Sequence, residues 1–277
     1  MGELPDIQKT PDVRGIAIDE VGVSNIRFPL ALPLQNGDEF NTVANLKMTV
    51  SLPAERKGTH MSRFMIALND EDRDHYFKPN RVKVVLERML ELLDAEESFL
   101  SMDFPVFLPK KAPVTDHVGI MDYDCIFAAM LGKNGLHDKI VGVKVNVASL
   151  CPCSKEISRY GAHNQRSTIT IKVRPADEEF IWFEDLIKIA EACGSIQLYP
   201  ILKRPDEKFV TESAYDNPKF VEDIVRDLSA RMIDLLDQGK IQWFHVSSNN
   251  QESIHNHDAY AQIERGTIGP LLEKRNG

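Results

Sequence analysis

The sequence predicts an α+β fold built twice, each copy a mainly antiparallel four-stranded sheet with helices packed on one face. Three observations predict it. Strand-like runs come in pairs on either side of helical stretches, as hairpins around helices require. The pattern glycine, small residue, histidine, two variable residues, arginine occurs at Gly58-Thr59-His60-Met61-Ser62-Arg63. It recurs at Gly161-Ala162-His163-Asn164-Gln165-Arg166, 163 − 60 = 103 residues later. The runs preceding both motifs are apolar and β-branched, and they alternate with period two.

Before the first motif, 46–52 (LKMTVSL) reads as a half-buried strand, and 140–147 (IVGVKVNV) does so before the second. After the motifs, 64–68 and 167–173 are expected to return as strands. A helix is predicted over 79–94, where Val82, Val85, Leu86, Met89, Leu90 and Leu93 recur at spacings of three and four. A shorter helical pattern over 182–193 is closed by Gly194. Next, Asn217 suits an N-cap and Pro218 a first helical position, and an apolar stripe runs from Phe220 through Leu228 to Leu236 before Gly239 stops it. Strands resume at 99–108, 123–131, 241–247 and 259–265. Apolar periodicity lapses at 132–138, where glycine, lysine and asparagine gather, so the copies are expected as 1–135 and 136–277.

Composition narrows the function. The chain has 277 residues, 43% hydrophobic and 27% charged, enough to bury a large core. No apolar run approaches the roughly 18 residues of a membrane span, and the opening MGELPDIQKTPDVRGIAIDE has neither the basic start nor the apolar stretch of a signal peptide. A cytoplasmic protein with no membrane partner is therefore expected. The net charge of −9 argues against a nucleic-acid partner, because phosphate tracking needs a basic excess. Four cysteines (Cys125, Cys151, Cys153, Cys193) are too few for a disulfide scaffold.

Chemistry concentrates in one segment. Cys151-Pro-Cys153-Ser154-Lys155 and then His163 place soft sulfur and borderline nitrogen close together, donors suited to a transition metal. Cys151 and His163 are twelve residues apart, too far for adjacent helical turns, so a loop between strands must join them. Cys153, two positions on, could share a face with Cys151, which leaves a two-sulfur site open. Cys125 and Cys193 lie inside apolar patterns and read as core.

The runs SLCPCSKEISRYGAHNQRS, KGTHMSRF, LKRPDEKFVTE, NPKFVED and ESIHNHDAYA together resemble the GTP cyclohydrolase type IB family over nearly the whole chain. The resemblance implies two tandem tunnelling-fold modules and a homotetramer with active sites at subunit contacts. It also implies conversion of GTP to 7,8-dihydroneopterin triphosphate and formate. The cofactor it implies is a divalent metal, with zinc, manganese and ferrous iron all open, and no nicotinamide-binding sequence stands out.

The family's ligand glutamate matches Glu207, completing Cys151 and His163, although Asp206 and Glu212 are near enough in sequence to compete. Its catalytic histidine matches His255, with Glu252 as an orienting or pairing group, and its purine-anchoring glutamate matches Glu222. A triphosphate calls for cations, and Lys155, Arg159, Arg166, Lys203, Arg204 and Arg63 are the candidates. His60 occupies the place of His163 in the first motif without a preceding cysteine, so its loop is expected to line a neighbouring subunit's pocket. Rival readings are an archaeal-type cyclohydrolase with a cyclic phosphate product, a tunnelling-fold nitrile reductase using a cysteine nucleophile, and a structural metal domain.

Overall fold

The computed structural model describes residues 8, 10–69, 76–135, 137–177 and 179–276. The chain forms two compact units, one from 1–104, 127–139 and 269–277, the other from 105–126 and 140–268.

In the first unit, β1 (Ile18–Pro33) pairs antiparallel with β2 (Glu39–Leu52), which pairs with β3 (Glu97–Lys111), and β4 (Val118–Gly132) lies beside β3. Strands β3 and β4 contribute residues to both units. Ala44, Leu46, Met48, Val50 and Leu52 alternate along β2 as its buried face. Helix α2 (Val82–Leu93) follows a 3-10 turn at Pro79–Arg81 and buries the six predicted apolar residues. It ends at Asp94, whose left-handed backbone (φ 49°) closes the last turn and whose carboxylate meets Arg56 and Lys133.

One expected strand is a helix instead. Residues 64–68 lie in α1 (Met61–Leu68), where Phe64, Ala67 and Leu68 are buried at helical spacing. A five-residue apolar run does not distinguish a buried strand from one turn of helix, and here the packing of α1 on α2 decides. The first motif thus opens a helix, whereas the second opens a strand, β6 (Asn164–Pro175). The two occurrences therefore do not correspond in local structure. After Gly132 the chain turns at 133–135, with Gly135 N–H bonded to Gly132 O at 3.0 Å, and β5 (His137–Leu150) follows.

The second unit carries β5, β6, β8 (Ile241–Asn250) and β9 (Ala259–Gly266) as consecutive antiparallel neighbours, with β7 (Ile196–Gln197) on β5. Odd-numbered residues of β5 and β6, among them Val143, Val145, Val147, Ile169, Ile171 and Val173, face inward with Phe244 and Val246 of β8. Helices α4 (Phe183–Cys193) and α6 (Val221–Asp237) cover that face with Leu186, Ile187, Ala190, Ile224, Leu228 and Met232. Gly194 ends α4 where a Cβ would stand 2.7 Å from the Val147 Cβ, so only glycine allows this helix to leave so close to β5.

Helix α6 starts three residues later than its expected first position: its N-cap is Phe220, and Asp223 Oδ2 accepts the Phe220 N–H at 3.0 Å. Asn217 is instead the C-cap of α5 (Arg204–Asp216), and its amide donates to Ser195 O at 2.9 Å and Gly194 O at 3.3 Å. Two short helices, α3 (Pro152–Ile157) and α7 (Pro270–Asn276), complete the elements. No helix among the described residues is long and apolar enough to cross a membrane.

Candidate metal and purine site

The inward face of the second unit turns polar at one end, on three neighbouring strands at once. Val147 of β5 is followed on that face by Ser149 and then Cys151. Running the other way along β6, Ile169 gives way to Ser167, Gln165 and His163, and on β8 Val246 gives way to Ser248, Asn250 and then Glu252. Strand register lines these residues up. In the β5–β6 ladder Ser149 faces Gln165 and Leu150 faces Asn164, and the next pair in that register is Cys151 with His163. Cys151 N–H donates to His163 O at 3.1 Å, which carries the ladder one pair beyond the strands. Directly opposed residues hold their Cβ atoms about 4.5–5.5 Å apart, so the thiol and the imidazole leave the sheet side by side. The β6–β8 register likewise continues past Ser167/Asn250 to Gln165 with Glu252, and Gln251 N–H donates to Arg166 O at 2.8 Å.

The loop between Cys151 and His163 is compact. Cys151 is the N-cap of α3, its Sγ receiving the Ser154 N–H at 3.5 Å. Ser154 Oγ donates to Cys151 O at 3.2 Å and accepts the His163 N–H at 3.2 Å, tying the two ends of the loop together. Gly161 turns the chain with φ 81°, a left-handed conformation that favours glycine. His163 Nδ1 lies 2.9 Å from Gln165 Oε1 and 3.9 Å from Glu252 Oε2.

The carboxylates around α5 separate cleanly. Asp206 is fully buried and accepts four hydrogen bonds: from Val114 N–H and Thr115 N–H at 2.9 Å each, Thr115 Oγ1 at 2.6 Å and Lys203 N–H at 2.8 Å. Its lone pairs are spent on holding the 112–117 turn against the start of α5, so it is not a free ligand. Burial alone would raise its pKa, but the hydrogen bonds from Thr115, Lys203 and Val114 outweigh burial and hold it well below the usual carboxylate range. Because the folded pKa is depressed, the stability it contributes is present above the unfolded value of about 3.9 and is lost as pH falls through the folded value. The difference in urea midpoint between wild type and Asp206→Asn is therefore expected to stay level from pH 7 to 5 and to shrink in acid. A difference that widens in acid contradicts this. Glu207, the next residue, is exposed on the first turn of α5, and Glu212 lies further along the helix, near Lys208 at 3.1 Å. Among the described residues of one chain, no three His, Cys, Asp or Glu side chains come together closely enough to hold a cation.

Glu222 is exposed in the first turn of α6 and makes no side-chain hydrogen bond or ion pair among the described residues, while Asp223 does the capping. The start of α6 is tied to the site by Lys219 N–H donating to Leu150 O at 3.0 Å, one residue before Cys151. His255 is exposed in the loop between β8 and β9, where its ring stacks on His257 at 5.0 Å. Glu252 thus neighbours His163 and Gln165, and its link to His255 is a backbone one, His255 N–H to Glu252 O at 3.3 Å.

The basic candidates are scattered. Lys155 donates to Tyr215 O and sits over the Tyr215 ring at 4.3 Å. Arg166 is exposed on the face of β6 opposite to the one carrying Gln165. In the first unit, Arg63 Nη1 donates to Leu92 O at 2.6 Å, tying α1 to the end of α2, and His60 is the N-cap residue of α1. Cys125 and Cys193 are fully buried with thiol pKa values pushed up by desolvation, as expected of core residues, whereas Cys153 is exposed. Gln165 and Ser149 were not singled out from sequence. The signal that finds them is polar residues at core-facing positions of an alternating strand.

The antiparallel sheet with its helices is that of the tunnelling-fold proteins. A uricase from Bacillus fastidious aligns over 90% of this chain and 93% of its own at a TM-score of 0.50 and 9% identity, a likeness of fold alone. Sequence goes further. Residues 4–261 match the family described as Type I GTP cyclohydrolase folE2. GTP cyclohydrolase FolE2 of Geotalea uraniireducens (strain Rf4) is 50% identical over 262 residues, covering 95% of this chain and 93% of that one. The corresponding protein of Geobacter metallireducens (strain ATCC 53774 / DSM 7210 / GS-15) is 48% identical over 265 residues, covering 96% and 98%. The chain belongs to the type I GTP cyclohydrolase FolE2 family and is an enzyme of the hydrolase class.

Proposed function

We propose that this enzyme opens the imidazole ring of GTP by metal-dependent hydrolysis, giving 7,8-dihydroneopterin triphosphate and formate as the first step of tetrahydrofolate synthesis. The observation that carries the reading is the juxtaposition of Cys151 and His163 at the polar end of a buried sheet face, in a chain about half identical to FolE2 cyclohydrolases. The donor set fits a divalent cation: a thiol and an imidazole side by side, with one imidazole nitrogen already engaged by Gln165. Cys151, His163 and Glu207 are its proposed ligands, and the cation is zinc, manganese or ferrous iron. Bound there, it supplies the Lewis acidity that makes water a nucleophile near neutral pH.

The chain's own residues do the rest. Glu222 accepts the N1–H and exocyclic amine of guanine as a carboxylate can, in a paired geometry. His255 delivers a proton to the departing ring nitrogen, with Glu252 as its partner in the catalytic set. Lys155 binds the triphosphate near α3. Arg166, on the opposite face, and His60 and Arg63, in the other compact unit, bind substrate in sites completed by further copies of the chain, as a cytoplasmic homotetramer with active sites at subunit contacts would allow.

The test is formate release from GTP by the purified full-length protein, with mass spectrometry of the pterin product. Release that stops on chelation and returns with added zinc, manganese or ferrous iron, together with a linear triphosphate product, is the expected result. Formate release that survives chelation, a cyclic phosphate product, or no turnover with any of the three metals would each overturn the proposal as stated.

A further inference from the structure

We infer that Gln165 is a positioning residue that fixes the tautomer of His163, making Nε2 the nitrogen offered to the cation and joining Glu252 to it through one amide. The inference rests on the proposed metal site and deepens it.

The hydrogen-bond network assigns one orientation to the amide. Gln165 is nearly buried, at 9% exposure, in the middle of three strands. Its Nε2 donates to Ser149 Oγ at 3.0 Å on one side and faces Glu252 Oε1 at 3.4 Å on the other. The amide nitrogen, the donor of the pair, is the atom turned toward the carboxylate oxygen of Glu252. The amide oxygen is then the atom 2.9 Å from His163 Nδ1, and because it only accepts, Nδ1 carries the proton. In the neutral ring, the form that ligates a metal, the lone pair is then on Nε2. Ser149 and Ser167 are fully buried, and Ser167 Oγ donates to Ser149 Oγ at 2.8 Å, so the hydroxyl holding Gln165 is itself held. The opposite flip would set Gln165 Oε1 against Glu252 Oε1, two oxygens facing each other in a buried network, which is costly.

Outer groups that orient a ligating histidine are worth about 10- to 100-fold in metal affinity. Competition against a chelating dye with zinc alone as the probe reads this directly. Gln165→Leu is expected to bind zinc about 10- to 100-fold more weakly than wild type. The exchange Q165E with E252Q returns a donor and an acceptor between the same two positions, and is expected to recover most of the loss. Nitrogen-15 spectra of the histidine ring in metal-free protein are expected to show His163 protonated at Nδ1 in wild type and in the exchange variant, and at Nε2 or as a mixture in Q165L. Zinc affinity unchanged in Q165L, no recovery in the exchange variant, or a wild-type His163 protonated at Nε2 overturns the inference. Wild-type protein that binds no zinc overturns the metal site itself, a different result from any of these.

Discussion

Replacing Cys151 by alanine is expected to leave the fold intact and to remove both bound metal and turnover. Cys151 is half-exposed at the end of a ladder, and among the described residues its Sγ accepts one long hydrogen bond, from Ser154 N–H at 3.5 Å, so little packing is lost with it. The chemical loss is large. Lewis-acid activation is worth several kcal/mol, and each 1.36 kcal/mol is tenfold in rate, so formate release should fall by about a thousandfold or more. Metal content per chain by elemental analysis and the formate rate should fall together. Cys153→Ala, which removes the exposed neighbouring thiol, should retain both. A Cys151→Ala enzyme with full metal and full rate contradicts the assignment of the site.

The second large effect is on recognition of the purine. Glu222→Gln keeps the size of the side chain but replaces one accepting oxygen with a donor, which then faces a donor on guanine. Hydrogen bonds to charged groups contribute about 1.5–3 kcal/mol, so kcat/KM for GTP should drop about 10- to 100-fold. The preference for GTP over ITP, which lacks the exocyclic amine, should collapse with it. Because Asp223 rather than Glu222 caps α6, stability should fall by no more than the roughly 0.3–1 kcal/mol of a first-turn charge on the helix dipole. An unchanged kcat/KM and an intact preference for GTP would show that Glu222 only favours the helix dipole.

What could be read in the sequence, and what could not, follows from how locally each feature is encoded. The helix at 82–93 and the strands β5, β6 and β8 are written as periodic apolar residues and were legible. Residues 204–216 were not read as a helix because only Asp206 and Ala214 of α5 are buried, leaving no stripe to see. Strand β1 is not legible in the sequence, because register shifts between Ile18 and Val21 and between Val23 and Ile26 interrupt its alternation. Residues 64–68 form a helix where a strand is expected, because a short apolar run takes its conformation from what it packs on. Within the site, Cys151 and His163 stood out by residue type and spacing. Ser149, Gln165 and Glu252 form one row only once the registers of β5–β6 and β6–β8 are known, and their pairings span 16 and 87 residues of sequence. Asp206 and Glu207 look alike in sequence, yet as neighbours on one helix turn they meet different surroundings, the first buried among donors and the second exposed.

Cys151 and His163, side by side at the end of the β5–β6 ladder, are the proposed sulfur and nitrogen ligands of a divalent-metal centre. X-ray absorption at the zinc edge of the zinc-loaded protein tests this assignment most directly. The account predicts one sulfur at about 2.3 Å, with the remaining ligands nitrogen or oxygen at about 2.0–2.2 Å, and loss of the sulfur in Cys151→Ala. A zinc shell without sulfur, or one with two sulfurs that persists in Cys151→Ala, would contradict it.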